Sequence, residues 1–393
     1  MGLRILCLVL VAAVLAGVGG VCAEEAPVRI WLATDPHHLA PELTDYGPLF
    51  QRAMLSGDGK ITEHCGELVD AFLDRAIAAR ADAVVVTGDL TFNGERASLE
   101  DIAARFQAAW DAGVPVLVLP GNHDISSPRA RSIFGSQAAH TDNVTQTGFE
   151  ALCARFGRDQ AIARDSASFS YIYAVSDALW LVMLDANTDR APIGTLPAGT
   201  IPWLEARLAE AAARGVTVLS FSHQNLLPVN RLYENDFTIS NCQEVLDLYS
   251  RYGVRYSFSG HSHIQHRTVS AAGLTEYVTG PLCVSPLHYA VITVDGADVG
   301  YAAATLDLYA EEARRRFVDP VRQSVDTMLR GLALTEAERA DMAGFAASLN
   351  QAYFAGDTDT IAALRDSPAW TLWRVKGRGT ALYPYLRSIF DEP

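Results

Sequence analysis

Val114-Pro115-Val116-Leu117-Val118-Leu119-Pro120-Gly121-Asn122-His123-Asp124 decides how the chain is read. Its first half is an apolar run that reads as a buried strand, and Pro120-Gly121 ends it. Three polar residues follow at the carboxyl end of that strand, where open α/β sheets place their chemistry. Asn122 offers an amide oxygen to a hard cation. His123 offers an imidazole that can carry a proton, and Asp124 a carboxylate that can orient it.

The same pattern recurs on both sides. Residues 28–34 read as a strand ending at Asp35-Pro36-His37-His38, and residues 84–87 as one ending at Gly88-Asp89. Between them Thr62 caps a helix over 62–80, with Leu68, Phe72, Leu73 and Ile77 near helical spacing. Ser98, with Asp101 three residues on, opens a second helix carrying Leu99, Ile102, Phe106 and Trp110. The order β-α-β-α-β implies a largely parallel sheet with helices on its faces.

Downstream, residues 128–148 read as an irregular loop and 149–156 as a helix. Strands over 168–175 and 179–184 follow, then a helix from Pro202 to Arg214. A strand over 216–222 ends at His223, and one over 254–259 ends at Gly260-His261-Ser262-His263, with a helix over 242–252 between them. Residues 264–304 hold about four short strands in series, expected to be antiparallel and to complete a second sheet. From Asp307 the pattern is helical to the end, with a capping box at Thr335 and Glu338 and a fresh helix start at Ser367-Pro368.

The 393 residues are 49% hydrophobic and 20% charged, enough for a large core plus a smaller unit. Residues 1–23 stand apart. Arg4 precedes an apolar run, and small residues end at Val21-Cys22-Ala23, which reads as a secretory signal cleaved near Ala23. The run is short for a membrane span, and Gly-Gly-Val before Cys22 lacks a lipoprotein signature, so export without a stable membrane anchor is expected. A net charge of −15 makes the chain a poor candidate for nucleic-acid binding by phosphate neutralisation, and no nucleic-acid partner is expected. Cys65, Cys153, Cys242 and Cys283 remain after cleavage. None forms a CxxC pair, which argues against structural zinc and leaves disulfides open in an oxidising compartment.

Five of the ten histidines, His37, His123, His223, His261 and His263, fall at these strand ends with a ligand or catalytic assignment, and His38 adjoins them. A mixture of Asp, Asn and His suits divalent first-row metals such as Mn, Fe or Zn. In an extended D-x-H or H-x-H the first and third side chains share a side. Asp35, His37 and His263 are therefore assigned to one ion, and Asn122, His223 and His261 to a second, with Asp89 bridging. Two ions about 3.5–4 Å apart clamp a phosphoryl group and activate a water. His123 would protonate the leaving oxygen, oriented by Asp124. His38, beside His37, and Asn93, in the loop after Asp89, are candidates for substrate contact. His64, His140, His266 and His288 read as ordinary surface or packing residues, and the sequon Asn143-Val144-Thr145 carries no assigned role.

Asp35-x-His37, Gly88-Asp89, Gly121-Asn122-His123-Asp124, His223 and Gly260-His261-x-His263 together resemble the calcineurin-like metallophosphoesterase superfamily, over residues 28–304. Within it the set is similar to exported bacterial class III cyclic-nucleotide phosphodiesterases. The resemblance implies an α/β two-sheet sandwich with flanking helices. It also implies a catalytic domain over 24–306, a small C-terminal helical domain over 307–393, and a dinuclear site with the ligand roles above and His123 as a catalytic histidine. Pro36 departs from the pattern without removing a ligand. The reaction implied is phosphoester hydrolysis by a hydroxide bridging the two metals, on a small phosphoester or a (cyclic) nucleotide diester. An exported phosphomonoesterase that scavenges phosphate is the alternative. A catalytically silent binding scaffold is opposed by the presence of every ligand.

Overall fold

The computed structural model describes residues 26–55, 58–233 and 237–391; the leader read at residues 1–23 lies outside them. Strands β1 (Val28–Ala33), β2 (Ala83–Val86) and β3 (Val116–Val118) are parallel neighbours connected by the helices Cys65–Ala78 and Arg96–Asp111. Their residues are almost wholly buried, as a parallel sheet covered on both faces demands. A hairpin of β4 (Arg131–Phe134) and β5 (Gln137–His140) stands where a loop was expected, and the next helix is Gln146–Cys153. The strands β6 (Ala163–Arg164), β7 (Tyr171–Ser176), β8 (Leu179–Leu184), β9 (Thr217–Ser222), β10 (Tyr256–Ser259), β11 (His266–Val269) and β12 (Thr275–Val278) build a seven-stranded sheet ordered β11-β12-β10-β9-β8-β7-β6.

The last two strands correct the sequence reading. β13 (His288–Asp295) and β14 (Asp298–Thr305) join the first sheet, giving the order β14-β13-β1-β2-β3, with β13 antiparallel to β1. The pairs β11–β12 and β13–β14 are antiparallel as expected, while β12 also lies parallel to β10. The local pattern says strand, but which sheet edge a strand covers is a long-range matter, and here it closes the open edge of β1. The two sheets face each other across one core that joins Leu32, Val85 and Leu117 to Met183, Phe221 and Phe258. Because the parallel strands of both sheets end on the same side of this core, five loops converge there.

A second correction concerns the helix Arg96–Asp111. Ser98 does not cap it: the residue is buried in the first turn and its Oγ accepts from Ala40 N at 3.0 Å. The capping box further on is present, with Thr335 N donating to Glu338 Oε2 at 2.8 Å and Glu338 N to Thr335 Oγ1 at 3.2 Å. The helices Ala310–Leu329, Glu336–Ala355, Pro368–Leu372 and Tyr383–Asp391, with the π-helical turn Trp373–Gly377, gather Met342, Leu349, Trp373 and Leu386 into a core of their own. That core reaches Val229, Ile264 and Val278 of the sheet region. No helix among the described residues is long and apolar enough to cross a membrane.

Candidate metal centre

The turn after β1 is held by backbone bonds to the turn after β2: Asp35 N donates to Gly88 O at 3.1 Å and His37 N to Asp89 O at 2.9 Å. Asp35, His37, Asp89, His261 and His263 all have positive φ, between 46° and 64°. This revises the reason for their convergence. They are not alternate residues of extended strands; each sits in the left-handed region, which costs a non-glycine residue about 1–3 kcal/mol and persists where function or packing enforces it. Glycines make the close approach possible. A Cβ on Gly121 would fall on the Asp89 carboxylate and backbone, and one on Gly260 would fall on Thr34 and Asp35.

The side chains form two overlapping groups. His263 Nε2 lies 3.3 Å from Asp35 Oδ1 and 3.2 Å from His37 Nε2. His223 Nε2 lies 3.0 Å from Asn122 Oδ1 and 3.3 Å from Asp89 Oδ1, with the His261 ring 4.9 Å from the His223 ring. Asp89 divides its oxygens between them, since its Oδ2 is 3.6 Å from His37 Nε2. Ligand atoms of Asp35, His37 and His263, and of Asp89, His223 and His261, each fall within 4.8 Å of one another.

This arrangement fits cations. Asp35 Oδ1 is buried without a hydrogen-bond partner, while its Oδ2 accepts from His261 N at 3.0 Å and Thr34 Oγ1 at 2.5 Å. A buried carboxylate oxygen left bare among imidazole nitrogens is costly unless a cation meets it. Outer contacts fix the rings as metal-ligand histidines require: His223 Nδ1 meets Thr87 O at 2.8 Å, and His263 Nδ1 meets Asp58 Oδ2 at 3.1 Å. Burial opposes charge on both carboxylates, yet the surrounding histidines together outweigh it, His223 with His263 at Asp35 and His223 with His123 and His37 at Asp89, and hold both below the usual range. Burial likewise opposes protonation of His223 and His263, but Asp89 with Asp35 lifts the first to about 9 and Asp35 with Asp58 the second to about 9, so that each would give up a proton on binding a metal. Burial with His223 pushes His261 down to about 3, and burial with Lys60 pushes His37 well down.

His123 sits at the rim, its ring 4.9 Å from that of His37 and edge-on to it. Its backbone N donates to Asp89 Oδ1 at 2.8 Å, and its Nδ1 meets Phe92 O at 2.9 Å and Asn93 Oδ1 at 3.1 Å. Two oxygens around Nδ1 make it the N–H, so Nε2 is left for chemistry. Three sequence assignments change as a result. Asp124 does not orient His123. It is buried and accepts from Leu90 N, Gly121 N, Thr91 N and Thr91 Oγ1, at 2.7–3.0 Å. Asn93 faces His123, and its backbone N donates to Glu95 Oε2 at 2.8 Å, so no substrate role is needed to explain it. His38 is buried, with Nε2 2.5 Å from Asp101, and points away from the centre into the helix Arg96–Asp111. Asp58 was missed because it lies in a turn that follows no strand and has no motif around it.

A calcineurin-like phosphoesterase family model matches residues 28–265. The chain belongs to that family. Relatives of this phosphoesterase include Glycerophosphodiester phosphodiesterase GpdQ of Enterobacter lignolyticus, 28% identical over 50% of this chain. The match spans 62% of that relative's length. They also include the 3',5'-cyclic adenosine monophosphate phosphodiesterase CpdA of Escherichia coli, 25% identical over 74% of this chain and 88% of its own. A dimetal phosphatase from Danio rerio shares the fold with a TM-score of 0.54 at 14% identity, covering 72% of this chain and 97% of its own. A further carboxylate–histidine group in this phosphoesterase, Glu63, His64 and Glu312, is already bridged by Arg316, at 2.8 Å to Glu63 and 3.0 Å to Glu312.

Proposed function

We propose that the protein hydrolyses phosphodiesters, with nucleotide-type diesters the favoured class, at a pair of divalent metal ions. The observation that carries the proposal is Asp89, whose two oxygens address two separate histidine groups. Asp35, His37 and His263 would hold one ion and Asn122, His223 and His261 the other. When bound, two such ions neutralise phosphoryl oxygens and supply a nucleophilic water at neutral pH. The chain's own part is positioning and proton transfer. Thr87 O and Asp58 fix the ligating nitrogens of His223 and His263. Phe92 O and Asn93 fix the tautomer of His123, leaving Nε2 to give a proton to the departing oxygen.

The relatives named as phosphodiesterases support the diester class, and the net charge of −15 speaks against a nucleic acid as substrate. The test is a comparison on metal-loaded protein of 3',5'-cyclic adenosine monophosphate and bis(p-nitrophenyl) phosphate with p-nitrophenyl phosphate. Higher kcat/KM on the diesters is expected. Turnover confined to the monoester would replace this reading with that of a phosphomonoesterase.

A further inference from the structure

Beyond the metal ligands, the segment after β9 builds a second feature at the rim. Asn225 is its hub. Its Nδ2 donates to Ser259 Oγ at 2.8 Å and to Gly260 O at 3.2 Å, so it is tied to the turn that carries His261. Its backbone accepts from Ile239 N at 2.8 Å and donates to Phe237 O at 3.1 Å. Phe237 is thereby fixed in the same frame as His223 and His261. Its half-buried ring stands edge-on to the His261 ring at 5.5 Å, and Tyr233, 40% exposed, lies next at 6.4 Å. Two aromatic rings thus run outward from a metal-ligand candidate into solvent.

The C-terminal helices brace this segment. Asn230 Nδ2 donates to Tyr353 Oη and to Ser388 Oγ, both at 3.1 Å, and Tyr353 Oη donates to Val229 O at 3.1 Å. The Tyr233 ring lies 6.4 Å from that of Tyr385. Aromatic side chains are enriched as rigid contact surfaces because they offer a large face at little entropic cost. A fixed ring beside a phosphoryl site can receive a planar group attached to the phosphate.

We propose that Phe237, with Tyr233, is the platform for the planar part of the substrate, a nucleobase or an aryl group, and that the C-terminal helices hold it there. The proposal rests on the nucleotide-type reading above. It makes Phe237 a specificity residue and gives the helical unit a substrate role without contributing a reacting group.

The experiment is calorimetric binding of adenosine 5'-monophosphate and ribose 5-phosphate to the metal-loaded full chain, with metal content measured alongside. Phe237→Ala should weaken the nucleotide about 5- to 160-fold, as loss of one base–aromatic contact does, and leave ribose 5-phosphate and metal content unchanged. Phe237→Trp should keep the preference, and Asn230→Ala should lose part of it. Equal weakening of both ligands, or metal loss, would make Phe237 a packing residue for His261 and overturn the proposal. So would a wild-type protein with no preference between them. A protein that prefers the nucleotide yet hydrolyses only monoesters would keep the platform and reject the phosphodiesterase reading.

Discussion

His123 and Asp124 are adjacent in sequence but have different partners, and that separates what their substitutions do. If His123 is the general acid, its importance scales with how badly the leaving oxygen needs a proton. A ribose alkoxide needs one, whereas a nitrophenolate departs with little help. His123→Ala should therefore lose about 10²–10⁴-fold in kcat on an alkyl-leaving diester and much less on a nitrophenyl ester. Asn93→Ala removes one of two oxygens at His123 Nδ1 and leaves Phe92 O at 2.9 Å. The loss of one neutral hydrogen bond, about 0.5–1.5 kcal/mol, gives a milder form of the same selectivity, about 2- to 12-fold. Asp124→Asn should behave otherwise. Four donors converge on its carboxylate, although burial and the Asp89 charge raise its pKa to about 6. An amide cannot accept all of them, and each buried donor left bare costs about 1–3 kcal/mol. The variant should be less stable to urea and lose activity on both esters alike. Paired kcat measurements at saturating metal, with urea midpoints, decide between the two patterns. Leaving-group-selective loss in Asp124→Asn at unchanged stability would restore Asp124 as the orienter. Equal losses on both esters in His123→Ala, or loss of metal, would remove His123 from the acid role; the second outcome would make it a ligand, since its ring nitrogen also groups with His37 and Asp89.

Further outcomes follow from burial and charge. Glu276 is buried and accepts from Leu226 N, Leu227 N and Ser259 Oγ, and burial raises its pKa from 4.5 to about 7. The folded state then binds this proton more tightly than the unfolded one. Its contribution is fully present below pH 4.5 and is lost as pH rises to about 7, by about 3 kcal/mol; urea midpoints of wild type against Glu276→Gln should converge or cross in that window, and a wild type that gains on the variant instead would reverse the sign. Trp373 is fully buried and its Nε1 donates to Met342 O at 2.9 Å, so Trp373→Ala should cost about 3–5 kcal/mol in denaturant titration; a loss below 1 kcal/mol would show the helical unit to be loosely packed. The Arg4 and apolar-run pattern predicts a mature chain starting near Glu24 in the native envelope, and mass spectrometry finding intact Met1 in the cytoplasm would reject export.

Much of this architecture is legible from strand ends. Asn122, His223 and the GHSH turn follow apolar runs closed by Gly or a polar residue, and the fold brings them within a few ångströms. What escapes the sequence depends on distant partners. Ser98 looks like a cap until Ala40 is seen donating to it, and Asp101 looks like its capping partner until His38 is seen against it. The placement of β13 beside β1 is a choice between two sheet edges that local pattern cannot make. Asp35 and His37 were expected in extended backbone, yet both are left-handed, and Gly88, Gly121 and Gly260 let their turns approach more closely than side chains would allow. Phe237 carries no motif, and only the Asn225 contacts place it next to His261.

The central claim is that one chain carries a two-ion centre on which hydrolysis depends. Titrating metal-depleted protein with Mn²⁺ while following bis(p-nitrophenyl) phosphate hydrolysis tests it most directly. Activity should be absent without metal, rise with added ion and saturate at two equivalents per chain, with Asp89→Ala failing to reach saturation. Full activity at one equivalent, or in the metal-depleted protein, would contradict the account.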